Sequence, residues 1–284
     1  MAPTVGVVGM DGAPDREDAM GSGWRVASVV LAAVLVAGAC TPDGAPPAAP
    51  AGNLRGLIAY STQAGDIWVM RADGSNRRQV TRTRDPAYDF DPSLSPDGRR
   101  VVFRTSRGRY APDPNGTGVQ GIFVRDVDGS HERQIQPRRG GLFPDWSPDG
   151  RRIALSTLRA DGTETIVTVD PDGTHAHDTG VVGGECAEWS PDGARLAYCH
   201  HPGNGDFDVW VMDADGGGQR RLTRGADQES PVAWLPDGRI VFSSFHGDQP
   251  LPTWYLMSPD GTGVHPLPQL QGAGDPIDWL ASAG

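Results

Sequence analysis

Glu188-Trp189-Ser190-Pro191-Asp192-Gly193-Ala194-Arg195-Leu196-Ala197 is the stretch whose reading decides the fold, because its centre keeps returning along the chain. Ser-Pro-Asp-Gly stands at 95–98, 147–150 and 190–193, and Leu235-Pro236-Asp237-Gly238 is a fourth copy. The prolines lie 52, 43 and 45 residues apart, the spacing of one supersecondary unit copied in tandem. Pro presets the negative φ of the second turn position, Asp bonds back to nearby backbone, and Gly accepts the positive φ that closes the hairpin. Trp146, Trp189 and Trp234 precede three of the turns, and Leu94 the first. An apolar run follows each, as in Val101-Val102-Phe103 or Ile240-Val241-Phe242.

A second turn is interleaved with the first. Asp-Gly pairs begin at Asp73, Asp128, Asp172, Asp215 and Asp260, at intervals of 55, 44, 43 and 45 residues. Runs such as Ile67-Trp68-Val69-Met70 and Asp208-Val209-Trp210-Val211-Met212 lead into them. Asp-Gly after alternating hydrophobics is a strong hairpin signal. One period therefore reads strand, Pro-Asp-Gly turn, strand, loop, strand, Asp-Gly turn, strand. Four antiparallel strands in about 40–45 residues make a propeller blade, so the fold class is an all-β propeller.

The repeats define five blades, with six the alternative if a degenerate blade hides in the insertion from Arg107 to Gln120. The first unit, opening at Leu57-Ile58-Ala59-Tyr60, lacks its leading strand. The chain closes on Asp275-Pro276-Ile277-Asp278-Trp279-Leu280, a leading strand with no hairpin after it. Pairing the two completes blade one, closes the ring and removes the open sheet edges.

The 284 residues include 39 Gly and 25 Pro, a composition suited to short strands and tight turns. The net charge is −11 and every one of the 25 basic residues is arginine. An acidic chain of this kind argues against nucleic acid as a partner.

The residues before the repeats read as targeting sequence. Val26 to Ala39 is apolar apart from Ser28, too short to span a bilayer with ease, and Arg25 precedes it. Met20 makes a better start than Met1, and residues 1–39 are expected to be a signal peptide. Val36-Ala37-Gly38-Ala39-Cys40 resembles a bacterial lipobox, which implies lipid on Cys40, although Ala37 stands where Leu or Val is commonest. An ordinary cleaved signal or an uncleaved anchor is the alternative. Residues 40–53, rich in Pro, Ala and Gly, read as a tether, and 54–284 as the propeller. Cys186 and Cys199 flank the turn at 190–193, so a disulfide and two buried free thiols both stand open.

The unit quoted above, with Asp208 to Thr223 after it, resembles the WD-like β-propeller repeat of the TolB family over about residues 54 to 284. The resemblance implies fold more than function, since such repeats also serve as peptidase domains and extracellular sensors. TolB proteins are six-bladed and periplasmic, with an added amino-terminal domain that engages an envelope machine. This chain shows one blade fewer and leaves no room for that domain, so the TolB partners do not carry over.

The loops leading into each opening strand are acidic. Asp91, Asp145, Glu188, Glu229 and Asp278 are the candidate binding residues, expected to form a ring at the channel mouth; Asp145, Glu188 and Asp278 each precede a tryptophan. Like charges held close need a counter-charge, which Ca²⁺ or a basic peptide would supply. Otherwise these acids cap turns or face water. The tryptophans read as inter-blade core. His175 and His177 alternate on one strand with no carboxylate at ligand spacing beside them, and no Cys cluster suggests zinc, so no metal site is assigned. Asp113-Pro114-Asn115-Gly116-Thr117-Gly118 lacks the terminal Glu of a calcium loop. No Gly-x-Ser-x-Gly elbow, phosphate loop or His-Glu-x-x-His occurs. The expectation is a monomeric, non-enzymatic, lipid-anchored propeller on the outer face of the membrane that binds an envelope protein or peptide. It would be secreted if Cys40 carries no lipid. An extracellular polysaccharide lyase, hydrolase or lactonase with a channel-mouth site is the alternative.

Overall fold

The computed structural model describes residues 56–268 and 277–280, apart from 63, 72, 85–86, 108–120, 137–139, 202–205, 226 and 248–251. The signal, Cys40, the tether and most of the insertion lie outside the described residues. Five four-stranded antiparallel sheets form a ring. Blade one contains β1 (Leu57–Ser61), β2 (Ile67–Arg71) and β3 (Arg78–Gln79). Blade two contains β4 (Asp89–Leu94), β5 (Arg100–Thr105), β6 (Gly121–Asp126) and β7 (Arg133–Gln136). Blade three contains β8 (Leu142–Trp146), β9 (Ile153–Leu158), β10 (Glu164–Val169) and β11 (His177–Val182). Blade four contains β12 (Gly184–Trp189), β13 (Arg195–His200), β14 (Asp208–Asp213) and β15 (Arg220–Arg221). Blade five contains β16 (Gln228–Trp234), β17 (Ile240–Phe245), β18 (Thr253–Met257) and β19 (His265–Pro266). Finally β20 (Ile277–Leu280) returns to blade one, antiparallel to β1, with Tyr60 opposite Ile277 and Leu57 opposite Leu280. The ring is closed by the last strand, and the count is five.

The three Ser-Pro-Asp-Gly hairpins are tied by the same bonds, and the fourth, where Leu235 replaces the serine, keeps of these only the backbone bond from the Gly238 N–H to the Leu235 carbonyl. In blade four the Ser190 hydroxyl donates to Asp192 Oδ1 at 2.6 Å and accepts from the Arg195 N–H at 2.9 Å, while Gly193 N–H reaches the Ser190 carbonyl at 2.8 Å. The tryptophan before the turn then packs onto the preceding blade. Trp146 joins Val102, Ile122 and Val124 of blade two, Trp189 joins Ile166 and Val181 of blade three, and Trp234 joins Val209 and Val211 of blade four. Leu94 does the same against Val69 and Val80. Hydrophobic burial of this kind is the main favourable term holding radial blades together.

The Asp-Gly turns seal the outer part of the seams. A Cβ on Gly173 would stand 2.6 Å from the Ile135 carbonyl oxygen, and one on Gly261 2.9 Å from that of Leu222. One on Gly216 would fall on the Thr179 carbonyl. The glycine is therefore demanded twice, by its positive φ and by the neighbouring blade. A side chain from the outer strand completes the seal by donating to a carbonyl of the next blade's turn. Arg133 reaches Pro171 at 2.7 Å, His177 reaches Asp215 at 3.0 Å, and Arg220 reaches Pro259 and Asp260 at 2.8 and 2.9 Å.

Candidate functional site

The opening strands β4, β8, β12 and β16 each break register with their partner part-way along, between Phe90 and Ser93, Leu142 and Asp145, Glu185 and Glu188, and Pro231 and Ala233. Three of these bulges carry a non-glycine residue at positive φ: Asp91 at 46°, Phe143 at 50° and Cys186 at 56°. Bulges re-aim side chains, and here they turn the inner strands toward one another at the axis.

Arg104 of β5 occupies the centre of this region. Its register equivalents are Ser156, Cys199 and Ser243, small residues that leave room for one long side chain. Its Nε lies 2.5 Å from Asp91 Oδ2, and its guanidinium sits 4.8 Å from the Phe90 ring and 5.2 Å from the Phe143 ring. Through the Phe143 ring it meets blade three, and its charge weakly lowers Glu185 of blade four. Burial raises the Asp91 carboxyl and Arg104 pulls it back down.

Glu185 faces a second carboxyl, Glu164, at the start of β10. The Gly183 N–H donates to the Glu164 carbonyl at 2.9 Å and holds the two strand ends together. Burial first, then the bond to Glu164 and its charge, push Glu185 up to about 9, against the opposing field of Arg104. Glu185 therefore keeps its proton at neutral pH.

The predicted ring residues are not a set of free carboxylates. Asp145 accepts from the Ser93 hydroxyl of blade two and the Trp189 N–H of blade four, both at 2.9 Å. It ties three blades, and burial pushes it up to about 6 despite the donors that pull it down. Asp91 belongs to Arg104. Glu188 is buried, 8% exposed, and its backbone carbonyl accepts from Trp234 Nε1 at 3.1 Å. Burial raises Glu229, Thr223 lowers it by a hydrogen bond, and Asp208 and Asp227 raise it further. Asp208 is fully buried against Arg221 at 2.6 Å. Asp278 lies on β20, and its side chain is outside the described residues. The structure thus pairs Asp91 with Arg104 and Glu185 with Glu164, and sets Asp145, Glu188 and Glu229 into the seams.

Arg104 and Glu164 were not singled out in the sequence. Aligning the repeats would have exposed Arg104, a charged residue where the other blades carry Ser or Cys. Glu164 gives no such signal, because only the packing of β10 on β12 brings it to Glu185.

Cys186 and Cys199 are buried free thiols. Glu185 stands opposite Cys199 while Cys186 occupies the bulge, and the two thiols pack in one cluster with Phe143 and Phe207. His175 does have a carboxylate beside it, contrary to the spacing argument: its Nδ1 lies 2.8 Å from Asp170 Oδ2, because the turn at φ 50° folds the ring back. Among the described residues no three His, Cys, Asp or Glu side chains converge to hold a metal ion.

Fold and axial region together define a five-bladed β-propeller of Trp-Ser-Pro-Asp-Gly repeats with an internally paired charge cluster at its axis. The TolB β-propeller domain family matches residues 113–281, and the chain belongs to that family. It is 31% identical over 188 residues to the Tol-Pal system protein TolB of Anaeromyxobacter dehalogenans, covering 61% of this chain and 39% of that protein. It is 32% identical over 171 residues to a TolB homologue of Chlorobium luteolum, covering 60% and 37%. The chain thus spans about two fifths of these relatives' length. A TolB-type protein from Agrobacterium tumefaciens has a similar fold, with TM-score 0.61 at 18% identity over 76% of this chain and 89% of that one. So does an oligogalacturonate lyase in complex with manganese, with TM-score 0.51 at 16% identity over 75% and 62%.

Proposed function

We propose that this protein is an exported propeller of the cell envelope, held at the outer face of the membrane by lipid on Cys40, that binds a protein or peptide without catalysis. The observation that carries the reading is the axial cluster. Arg104, Asp91, Glu185 and Glu164 present mixed charge at the end of the inner strands, already paired within the protein, as a recognition surface would be. Membership of the TolB propeller family supports an envelope role. Monomeric behaviour fits a ring that closes on itself. Metabolic labelling with a tagged fatty acid tests the anchor, and loss of label in Cys40→Ser is the expected result. Site-specific crosslinking from the axial end tests the contact. Arg104→Gln together with Glu164→Gln should abolish the adducts seen with the unaltered chain, and unchanged adducts would remove the axial end as the binding face.

The Glu164–Glu185 pair favours one second reading, an extracellular enzyme. A carboxyl still protonated at neutral pH beside a second carboxyl is the arrangement of a general acid. Turnover of an acidic or neutral polysaccharide that disappears in Glu185→Gln would establish it; absence of turnover across such substrates would leave the binding reading alone.

A further inference from the structure

The outer edge of blade one is the basic face of an acidic protein. Arg77 and Arg78 stand at the start of its outer strand, Arg82 and Arg84 follow in the connection to β4, and Arg71 closes β2 beside the adjoining turn; all five are exposed. Among the described residues none of them lies within ion-pair distance of a carboxylate. Blade four makes the contrast plain. Arg220, the register equivalent of Arg78, is bound to the Pro259 and Asp260 carbonyls, and Arg221 to Asp208. In blade one Arg78 makes no such bond among the described residues. Arg77 lies 4.6 Å from the half-buried Trp68 ring and 5.6 Å from the Tyr60 ring, which hold it against the sheet.

Five guanidinium groups that make no ion pair among the described residues, with only Asp73 and Asp128 close enough for their charges to be felt, are out of place on a chain of net charge −11 unless something anionic meets them. Guanidinium groups suit phosphate, which they bind in bidentate fashion. The position of the edge decides the source of that phosphate. β1 is the first strand after Cys40 and its Pro/Ala/Gly-rich tether, so a lipid on Cys40 would hold blade one nearest the bilayer. We infer that the arginine edge of blade one docks on the anionic phospholipid headgroups of the membrane that anchors the chain, setting the propeller on its side with the axial face accessible from the flank. The inference rests on the anchored reading above. Two weak signals, one acyl site and one basic face, together give the firm attachment that a single weak signal does not.

The test uses the chain from Thr41 onward without lipid, which retains every described residue and separates the surface from the anchor. Cosedimentation is measured with vesicles of phosphatidylglycerol and phosphatidylcholine in equal parts, and with phosphatidylcholine alone. Binding is expected to the first only, and to fall as salt is raised. Each exposed arginine contributes about fivefold, the equivalent of about 1 kcal/mol per cation at an anionic leaflet, so Arg77→Gln with Arg78→Gln should weaken binding about 25-fold. Arg99→Gln with Arg151→Gln, two exposed arginines on other blades, should leave it unchanged. Equal binding to both vesicles, or equal loss in the two double variants, would overturn the proposal. So would inorganic polyphosphate in solution binding as tightly as the vesicles, which would assign the edge to a soluble polyanion. A negative vesicle result would leave acylation of Cys40 standing, and a chain without acyl label could still bind the vesicles.

Discussion

Gly216 and Gly74 hold the same place in the same Asp-Gly turn, at φ 93° and 82°, yet their surroundings differ completely. A Cβ on Gly216 would collide with the Thr179 carbonyl of the preceding blade, while one on Gly74 meets nothing within 4 Å among the described residues. The three seams from blade two to blade five are sealed three times over, by a tryptophan, by the glycine and by an arginine or histidine on the turn carbonyl. At blade one, where the ring closes, the glycine meets no neighbour among the described residues. The repeat thus encodes a seal that only some of its copies use, and function can settle where the seal is not needed.

The largest effect should come from the glycines themselves. Gly216→Ala adds a methyl onto a backbone carbonyl and should cost about 3 kcal/mol or more, whereas Gly74→Ala should cost only the positive-φ penalty of about 1–2 kcal/mol. Urea midpoints of the two variants measure the difference, and equal losses would mean that the inter-blade contact is worth nothing.

Asp145→Ala tests whether one carboxylate holds three blades. It leaves the Ser93 hydroxyl and the Trp189 N–H without their acceptor in a buried seam, which should cost about 2–4 kcal/mol. A loss within measurement error would return Asp145 to the pool of binding residues.

Glu185 should make the protein sensitive to alkali. Its folded-state pKa stands above its ordinary 4.5, at about 9, so the stability it contributes is present below 4.5 and is lost as pH rises toward 9. Thermal midpoints of the unaltered chain should therefore fall over that window more than those of Glu185→Gln; identical slopes would refute the raised Glu185 carboxyl. The smallest contrast concerns the outer arginines. Arg220→Ala should cost about 1 kcal/mol through its lost bonds to the Pro259 and Asp260 carbonyls, and Arg78→Ala close to nothing.

Much of the fold was legible because its signals are local. The Pro-Asp-Gly and Asp-Gly turns bond within themselves, as Ser190 does with Asp192 and Arg195, and their period counts the blades. Closure by residues 277–280 was legible as well, since a unit without its leading strand and a leading strand without its unit complete one sheet. The buried role of Trp146, Trp189 and Trp234 followed from their fixed place before a turn. The axial region was less legible. Asp145 and Glu188 were recognised as repeated positions, but their partners could not be named.

Sequence alone therefore determined the number of blades, the order of their strands and the residue that each turn requires, because those depend on contacts a few residues apart. Tertiary structure alone decided which charges are spent inside the ring and which remain for a partner. Asp145 finds Ser93 and Trp189 at separations of 52 and 44 residues, and Arg104 meets the Phe143 ring of the next blade. Such pairings are set by how a bulge turns one strand toward another, and no local pattern of residues carries that geometry.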